Sequence, residues 1–340
     1  MLKIPIGQIN VLFARISENM QLHAPTKNGK SVNFELWSDG VEADLQSLKT
    51  VMSPKNLFLP QSERLYDATN HQGHINIEPA ELSNEPFAVF GVRACDAAAL
   101  EVLDSVYLQE PVDLFYAARR KAGIIITLAC DNPAHTCFCK TFDICASDPG
   151  GDVTTWLIND TLFWLAETDK GEALTQKLSD LFEPAENDSL EPYKSAIRAK
   201  IASLPHSDLT LDKFTSDSLL ELFNSPKWDE LFKACMACGT CTFLCPTCQC
   251  YDIMDYDCGA KIQRYRCWDS CMKCDFTQMA HGNIRNSQKE RFRQRFMHKL
   301  VYHKDNHGTY GCVGCGRCVK CPSSVSIIKM IKGLGVEAHV

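Results

Sequence analysis

The sequence predicts a mixed α+β chain, with an N-terminal α/β domain over residues 1–205 and a mainly helical, cysteine-rich domain over residues 206–340. Three observations carry that prediction. Apolar, β-branched runs alternate with helical patterns in the first part. Residues 183–205 turn polar and mark the boundary. Fourteen of the nineteen cysteines then fall between Cys235 and Cys321.

Each element has a local reason. Residues 31–36 (SVNFEL) alternate polar and apolar, as a half-buried strand does. Residues 87–92 (FAVFGV) and 122–128 (AGIIITL) are continuous apolar runs, the pattern of strands buried on both faces. Between them lies the helical stretch 96–106, with Asp96 as its expected cap and Ala98, Leu100, Val102 and Leu103 as its apolar face. Strand, helix and strand at this spacing predict a crossover unit. Two runs, 154–157 and 161–166, are joined by Asn159-Asp160 and predict a hairpin. Residues 171–182 predict a helix. Further on, 212–234 and 291–301 predict amphipathic helices, the latter with Phe292, Phe296 and Leu300 at four-residue steps.

Composition excludes several classes. Hydrophobic residues make up 45% and charged residues 23%, as in an ordinary soluble protein. No stretch approaches the roughly 20 apolar residues of a membrane span. Residues 1–10 lack the apolar core of a secretory signal, so a cytoplasmic location is expected. A net charge of −7 argues against nucleic-acid binding. The charge is uneven, however. Residues 285–304 carry four Arg and three Lys against one Glu, a +6 segment in a remainder of −13.

The cysteines form two near-copies of one pattern. The first is Cys235-Met-Ala-Cys238-Gly-Thr-Cys241-Thr-Phe-Leu-Cys245-Pro246, and the second is Cys312-Val-Gly-Cys315-Gly-Arg-Cys318-Val-Lys-Cys321-Pro322. Thiols at every third residue, closed by Cys-Pro, are how a loop wraps a [4Fe–4S] cubane, and in two-cluster ferredoxins the thiol before proline serves the other cluster. The expectation is a ferredoxin-like module with two [4Fe–4S] clusters. Cys235, Cys238, Cys241 and Cys321 would hold one, and Cys312, Cys315, Cys318 and Cys245 the other. Zinc sites favour paired Cys-x2-Cys units without the closing proline. A disulfide framework belongs to short secreted chains.

Several further groups suggest chemistry. Cys267, Cys271 and Cys274 are spaced as one face of a helix, and with Cys248 or Cys250 they form a candidate third metal site. Their bland reading is as buried thiols, which pack like small apolar side chains. Cys130, Cys137, Cys139 and Cys145, with His135, form a weaker group read as structural. Cys95, beside the expected helix start, is a candidate for a lowered thiol pKa. The basic stretch 285–304 is either a solvated face or a charge placed near the clusters or a partner. No Gly-x-Gly-x-x-Gly fingerprint follows a strand, so no nucleotide site is expected.

Five motifs in fixed order carry a resemblance. They are Gly91-Val-Arg-Ala-Cys95-Asp96, Thr136-Cys137-Phe138-Cys139, Cys245-Pro-Thr-Cys248-Gln-Cys250, Trp268-Asp-Ser-Cys271 and the second cysteine run; residues 53–59 (SPKNLFL) join them. Together they resemble the beta subunits of NAD(P)-linked cytoplasmic hydrogenases (sulfhydrogenases) and the A-type subunits of anaerobic sulfite reductase. The resemblance implies an electron relay without a substrate site of its own. Its implied partners are a flavoprotein that carries FAD and binds NAD(P)H, and a catalytic or further iron–sulfur subunit. This chain departs in the two-residue step from Cys318 to Cys321, in Ala280-His281-Gly282-Asn283, and in the presence of Cys267 and Cys274. The alternative function is a scaffold whose metals only staple the fold.

Overall fold

A computed structural model describes residues 1–47, 50–186 and 190–335. In chain order the elements are β1 (Leu2–Pro5), α1 (Ile9–Ser17), β2 (Gln21–Asn28), β3 (Ser31–Leu36), α2 (Lys55–Phe58), β4 (Ser62–His71), β5 (His74–Pro79), β6 (Phe87–Val92), α3 (Ala94–Tyr107), α4 (Leu114–Ala122), β7 (Gly123–Leu128), β8 (Val153–Ile158) and β9 (Thr161–Ala166). There follow α5 (Asp169–Lys177), β10 (Glu183–Pro184), α6 (Glu191–Ala202), α7 (Leu219–Asn224), α8 (Trp228–Leu231), α9 (Thr240–Phe243), β11 (Tyr251–Asp257), β12 (Ile262–Trp268), α10 (Gln288–Met297), α11 (His303–His307) and α12 (Ile327–Gly335).

An eight-stranded mixed sheet, ordered β10-β1-β9-β8-β7-β6-β2-β3, organises the first part. Its centre is parallel, because β6 pairs with both β2 and β7, and β7 with β8, in that sense. The expected crossover through α3 is present, and β6 and β7 are buried along their whole length. Side-chain alternation sends Ile124, Ile126 and Leu128 into one apolar layer with Phe13 of α1 and Leu174 of α5. Ile125 faces the other layer, with Leu100 of α3 and Tyr116 of α4. The expected hairpin also forms, and Asn159 and Asp160 both take positive φ in its tight turn.

Several local expectations need correction. Asp96 does not cap α3; Arg93 is the capping position, with no side-chain cap, and Asp96 sits in the first turn. The helix expected over 171–182 starts earlier, on the Thr168 hydroxyl, and ends in a short 3-10 turn. Residues 183–205 are not simply polar linker, since β10 and α6 lie within them. The single helix expected over 212–234 is two short ones, α7 and α8, and Pro226 lies between them.

The second part is not the mainly helical body expected. Apart from one continuous helical run over 288–307 its helices are short, and β11 and β12 form a hairpin that joins a four-stranded sheet ordered β11-β12-β4-β5. That sheet brings strands from before residue 205 together with strands from beyond it. A buried ionic knot fixes the junction. Arg266 of β12 pairs with Glu63 of β4 and with Asp113 before α4, and Glu63 also pairs with Arg119 of α4. The second apolar core gathers Phe214, Leu222 and Trp228 against Phe292, Phe296 and Leu300, as the four-residue spacing predicts.

Candidate metal centre

Local backbone shape sets up both cysteine runs. In the first, Ala237 and Gly239 take positive φ before the one-turn α9; in the second, Gly314 and Gly316 do so before a 3-10 turn over Arg317–Lys320. Gly314 has a specific reason to be glycine. A Cβ there would collide with the backbone of Phe138 and Cys139, whose loop is also tied by Phe138 N–H donating to Gly314 O at 2.9 Å. Backbone amides reach thiols in each run. The Gly314 N–H donates to Cys312, and the Thr240 hydroxyl and N–H hold Cys238 below the usual thiol range.

The eight motif thiols distribute between two adjoining cavities. Cys235, Cys238, Cys241 and Cys321 line the first, closed by Phe292, Phe296 and Ile327. Cys245, Cys312, Cys315 and Cys318 line the second, with Phe138 and Ile327. Cys318 also borders the first cavity. The shortened step from Cys318 to Cys321 leaves Cys321 on the wall of the first cavity, because the chain extends at Cys321 after the 3-10 turn.

Buried cations surround these thiols. Lys55, Arg295 and Lys299 are 2%, 3% and 4% exposed. Among the described residues none of the three forms an ion pair with a carboxylate, and the groups that favour their charge are cysteines. Burial lowers Lys55 to about 8, while Cys248 and Cys245 oppose the fall. Burial also works against Lys299 and Arg295, yet the neighbouring thiolates more than offset it and hold both above their ordinary range. An uncompensated buried charge costs several kcal/mol. The donor set and its cations therefore fit a bound anionic iron–sulfur cluster in each cavity.

The cations come from two places. Arg295 and Lys299 lie four residues apart on α10 and the π-helical turn His298–Tyr302 that continues it. Arg295 borders both cavities. Lys299 Nζ donates to Thr247 Oγ1 at 2.9 Å and Gly311 O at 2.8 Å. Lys55, on α2, donates to the carbonyls of Cys245 at 3.1 Å and Cys248 at 2.9 Å, and lies over the Trp268 ring. From the basic stretch 285–304, then, two side chains turn inward to the thiols. Arg291 instead holds Arg285 O.

A fourth buried cation is paired. Arg317, inside the second cysteine run, makes a bidentate bridge to Asp96 of α3 at 2.6 and 2.7 Å. It also donates to Thr50 O and Oγ1. The early motifs thus act as clamps: residues 53–59 through Lys55, 91–96 through Asp96, and 136–139 through Phe138.

The remaining candidates separate. Cys248, Cys250 and Cys271 line a third cavity, but Cys267 sits on β12 against Met254 Sδ and Cys274 is exposed beside Asp275. The expected helical face through Cys267, Cys271 and Cys274 does not form, because Cys267 lies in strand β12, which ends at Trp268, and Cys271 follows in a loop. Cys137 and Cys139 are buried, whereas Cys145 is exposed and contacts Ser147 Oγ. The lowered pKa expected of Cys95 is corrected: burial pushes this thiol well up, and Asp96 adds to the rise.

Fold and site together define the class of protein. Residues 234–325 match the 4Fe-4S dicluster domain family, so this part of the chain is an iron–sulfur domain. Over a wider span the chain is 29% identical across 294 residues to Sulfhydrogenase 2 subunit beta of Pyrococcus furiosus, covering 85% of each protein. The resemblance read from the motifs is borne out. No solved structure matches. Among the described residues no helix is long and apolar enough to cross a membrane.

Proposed function

We propose that this chain is the electron-relay subunit of a sulfhydrogenase-type complex, carrying two [4Fe–4S] clusters. One is held by Cys235, Cys238, Cys241 and Cys321, and the other by Cys312, Cys315, Cys318 and Cys245. The observation that carries the reading is the pair of cavities that together gather all eight motif thiols and share Cys318 and Arg295, with Lys299 also lining the second. Clusters bound there would take one electron from a reduced partner and pass it to an oxidised one, with no bond made or broken in this chain.

The chain's own residues prepare that task. Apolar walls from Phe138, Phe292, Phe296 and Ile327 limit water around the thiols. Fixed positive charge at Arg295 and Lys299 favours the more negative, reduced state. The partners fit the same picture: a protein binding flavin and NAD(P)H on one side, and a catalytic or further iron–sulfur subunit on the other. Apolar side chains support an assembly, since Ile75, Ile77, Ile253 and Tyr256 are exposed on the outer strands β5 and β11.

The test is anaerobic purification of the full chain, followed by titration with dithionite. A brown protein that bleaches and recovers on reoxidation, with Cys238→Ala and Cys315→Ala each losing the bleachable absorbance of one cluster, is the expected result. Metal that stays redox-silent would instead identify a stapled scaffold.

A further inference from the structure

The third cavity lies outside both four-thiol sets. It is lined by Cys248, Cys250 and Cys271, by His298 and His303, and by Lys299. Sequence-distant segments are pinned together there, because Asp269 N–H donates to Cys250 O at 2.9 Å. The thiols of Cys250 and Cys271 are within hydrogen-bond reach of one another, and Cys248 is similarly placed against Cys245 of the second cavity.

His303 adds a fourth donor of the right kind. It is 1% exposed, and its Nδ1 lies 2.8 Å from Thr309 O. A carbonyl only accepts, so Nδ1 carries the proton and Nε2 is left with a free lone pair. That Nε2 is buried and, among the described residues, has no hydrogen-bond partner. A backbone acceptor on one ring nitrogen, with the other nitrogen bare, is how proteins orient a metal-binding imidazole. The residue follows Arg295 and Lys299 at the same four-residue step.

Charge points the same way. Lys55 and Lys299, both buried and without a carboxylate partner among the described residues, adjoin this cavity through the Cys248 carbonyl and the Thr247 hydroxyl. Two buried cations call for anions nearby. Among the described residues no three His, Cys, Asp or Glu side chains converge on a point as the ligands of a single ion do. A polynuclear occupant needs no common point, because each ligand binds its own iron at a corner of the cube.

We propose that Cys248, Cys250, Cys271 and His303 hold a third iron–sulfur cluster of the [4Fe–4S] type. It extends the relay toward the surface. Arg295 and Lys299 border both the second and third cavities. Beyond Cys250 and Cys271 an open cleft, walled by Tyr251, Phe276 and Arg285, leads outward beside β11. An electron arriving at the second site would leave here to an oxidised cofactor on a partner docked at this cleft. Each transfer moves one electron and no atoms.

The inference goes beyond the two-cluster reading, and iron stoichiometry separates the two. The full chain, purified anaerobically, is analysed for iron and acid-labile sulfide per chain, with spin integration of the dithionite-reduced state. The wild type should hold about twelve iron atoms, and Cys271→Ala should lose about a third of them. His303→Cys should retain the full iron complement and shift one midpoint potential, while His303→Ala should lose iron only from the third site. Cys250→Ala provides a second removal should Cys271→Ala fail to fold. About eight atoms in wild type and variant alike would overturn the third site and leave the other two standing. A fall from about eight to about four in Cys271→Ala would also overturn it, placing Cys271 in one of the first two sites. About four or fewer in the wild type defeats both readings.

Discussion

Single residues in this chain carry whole charges into its interior. Lys299 illustrates what that does. A unit charge within about a side-chain length, at an effective dielectric near 20, is worth about 2 kcal/mol. For a one-electron centre that corresponds to roughly 80 mV. Lys299→Met should therefore lower a cluster midpoint potential by roughly that amount while Lys299→Arg largely preserves it, as read by potentiometric titration. Unchanged potentials in the methionine variant would show that the charge does not sense the clusters. Arg317 tests a different property. Its bridge to Asp96 is buried on both sides, 5% and 1% exposed. Arg317→Met should cost about 3–5 kcal/mol in denaturant unfolding, because Asp96 is left charged and alone. The double variant with Asp96→Leu should recover much of that loss, since removing both partners removes the unmet charge.

At the scale of elements, the close approach of two loops matters most. Gly314 brings the second cysteine run against the 136–139 loop, at a positive φ of 59°. Gly314→Ala adds backbone strain of about 1–3 kcal/mol and a steric clash with Phe138. The expected outcome is loss of iron from the second site and faster protease cleavage near residues 136–142, measured against intact first-site iron. Elements also show what a sequence makes legible. Strands β3, β6, β7, β8 and β9 are readable because alternation or continuous apolar runs record burial directly. The hairpin β11–β12 is not: β11 is exposed along its length, and β12 pairs with β4, which lies far back in the chain, a register no local pattern encodes. The thiol spacing of 267, 271 and 274 mimics a helix for the same reason, since periodicity cannot report a long-range partner. The spacing of the eight motif thiols is legible because a loop that is to wrap a cube would need it locally. The cations are harder. Arg295 and Lys299 stand at a four-residue step, yet the net charge of their stretch does not say which face turns inward. Lys55 has no sequence signal beyond its place in a family-like motif.

The whole molecule divides its stability between two kinds of glue. The eight-stranded sheet rests on two apolar layers built from α1 and α5 on one side and α3 and α4 on the other, with no cysteine in either layer. The second core instead packs Cys235, Cys312 and Cys318 at its edge, and its cavities hold Arg295 and Lys299 against thiols. With clusters bound, those charges are compensated; with iron stripped, each remains buried without its anion, at a penalty of several kcal/mol per ion. Chelation under air should therefore split thermal unfolding into two steps. The part built on the eight-stranded sheet should keep a transition near that of the iron-loaded protein, and the cysteine-rich part should melt well below it. Calorimetry and circular dichroism on matched iron-loaded and stripped samples measure this directly. A stripped chain that still melts in one transition at the iron-loaded temperature would mean that the thiols and cations are balanced without metal. Reloading iron and sulfide should merge the two transitions again, because the anion that the buried lysines and arginine require arrives with the cluster.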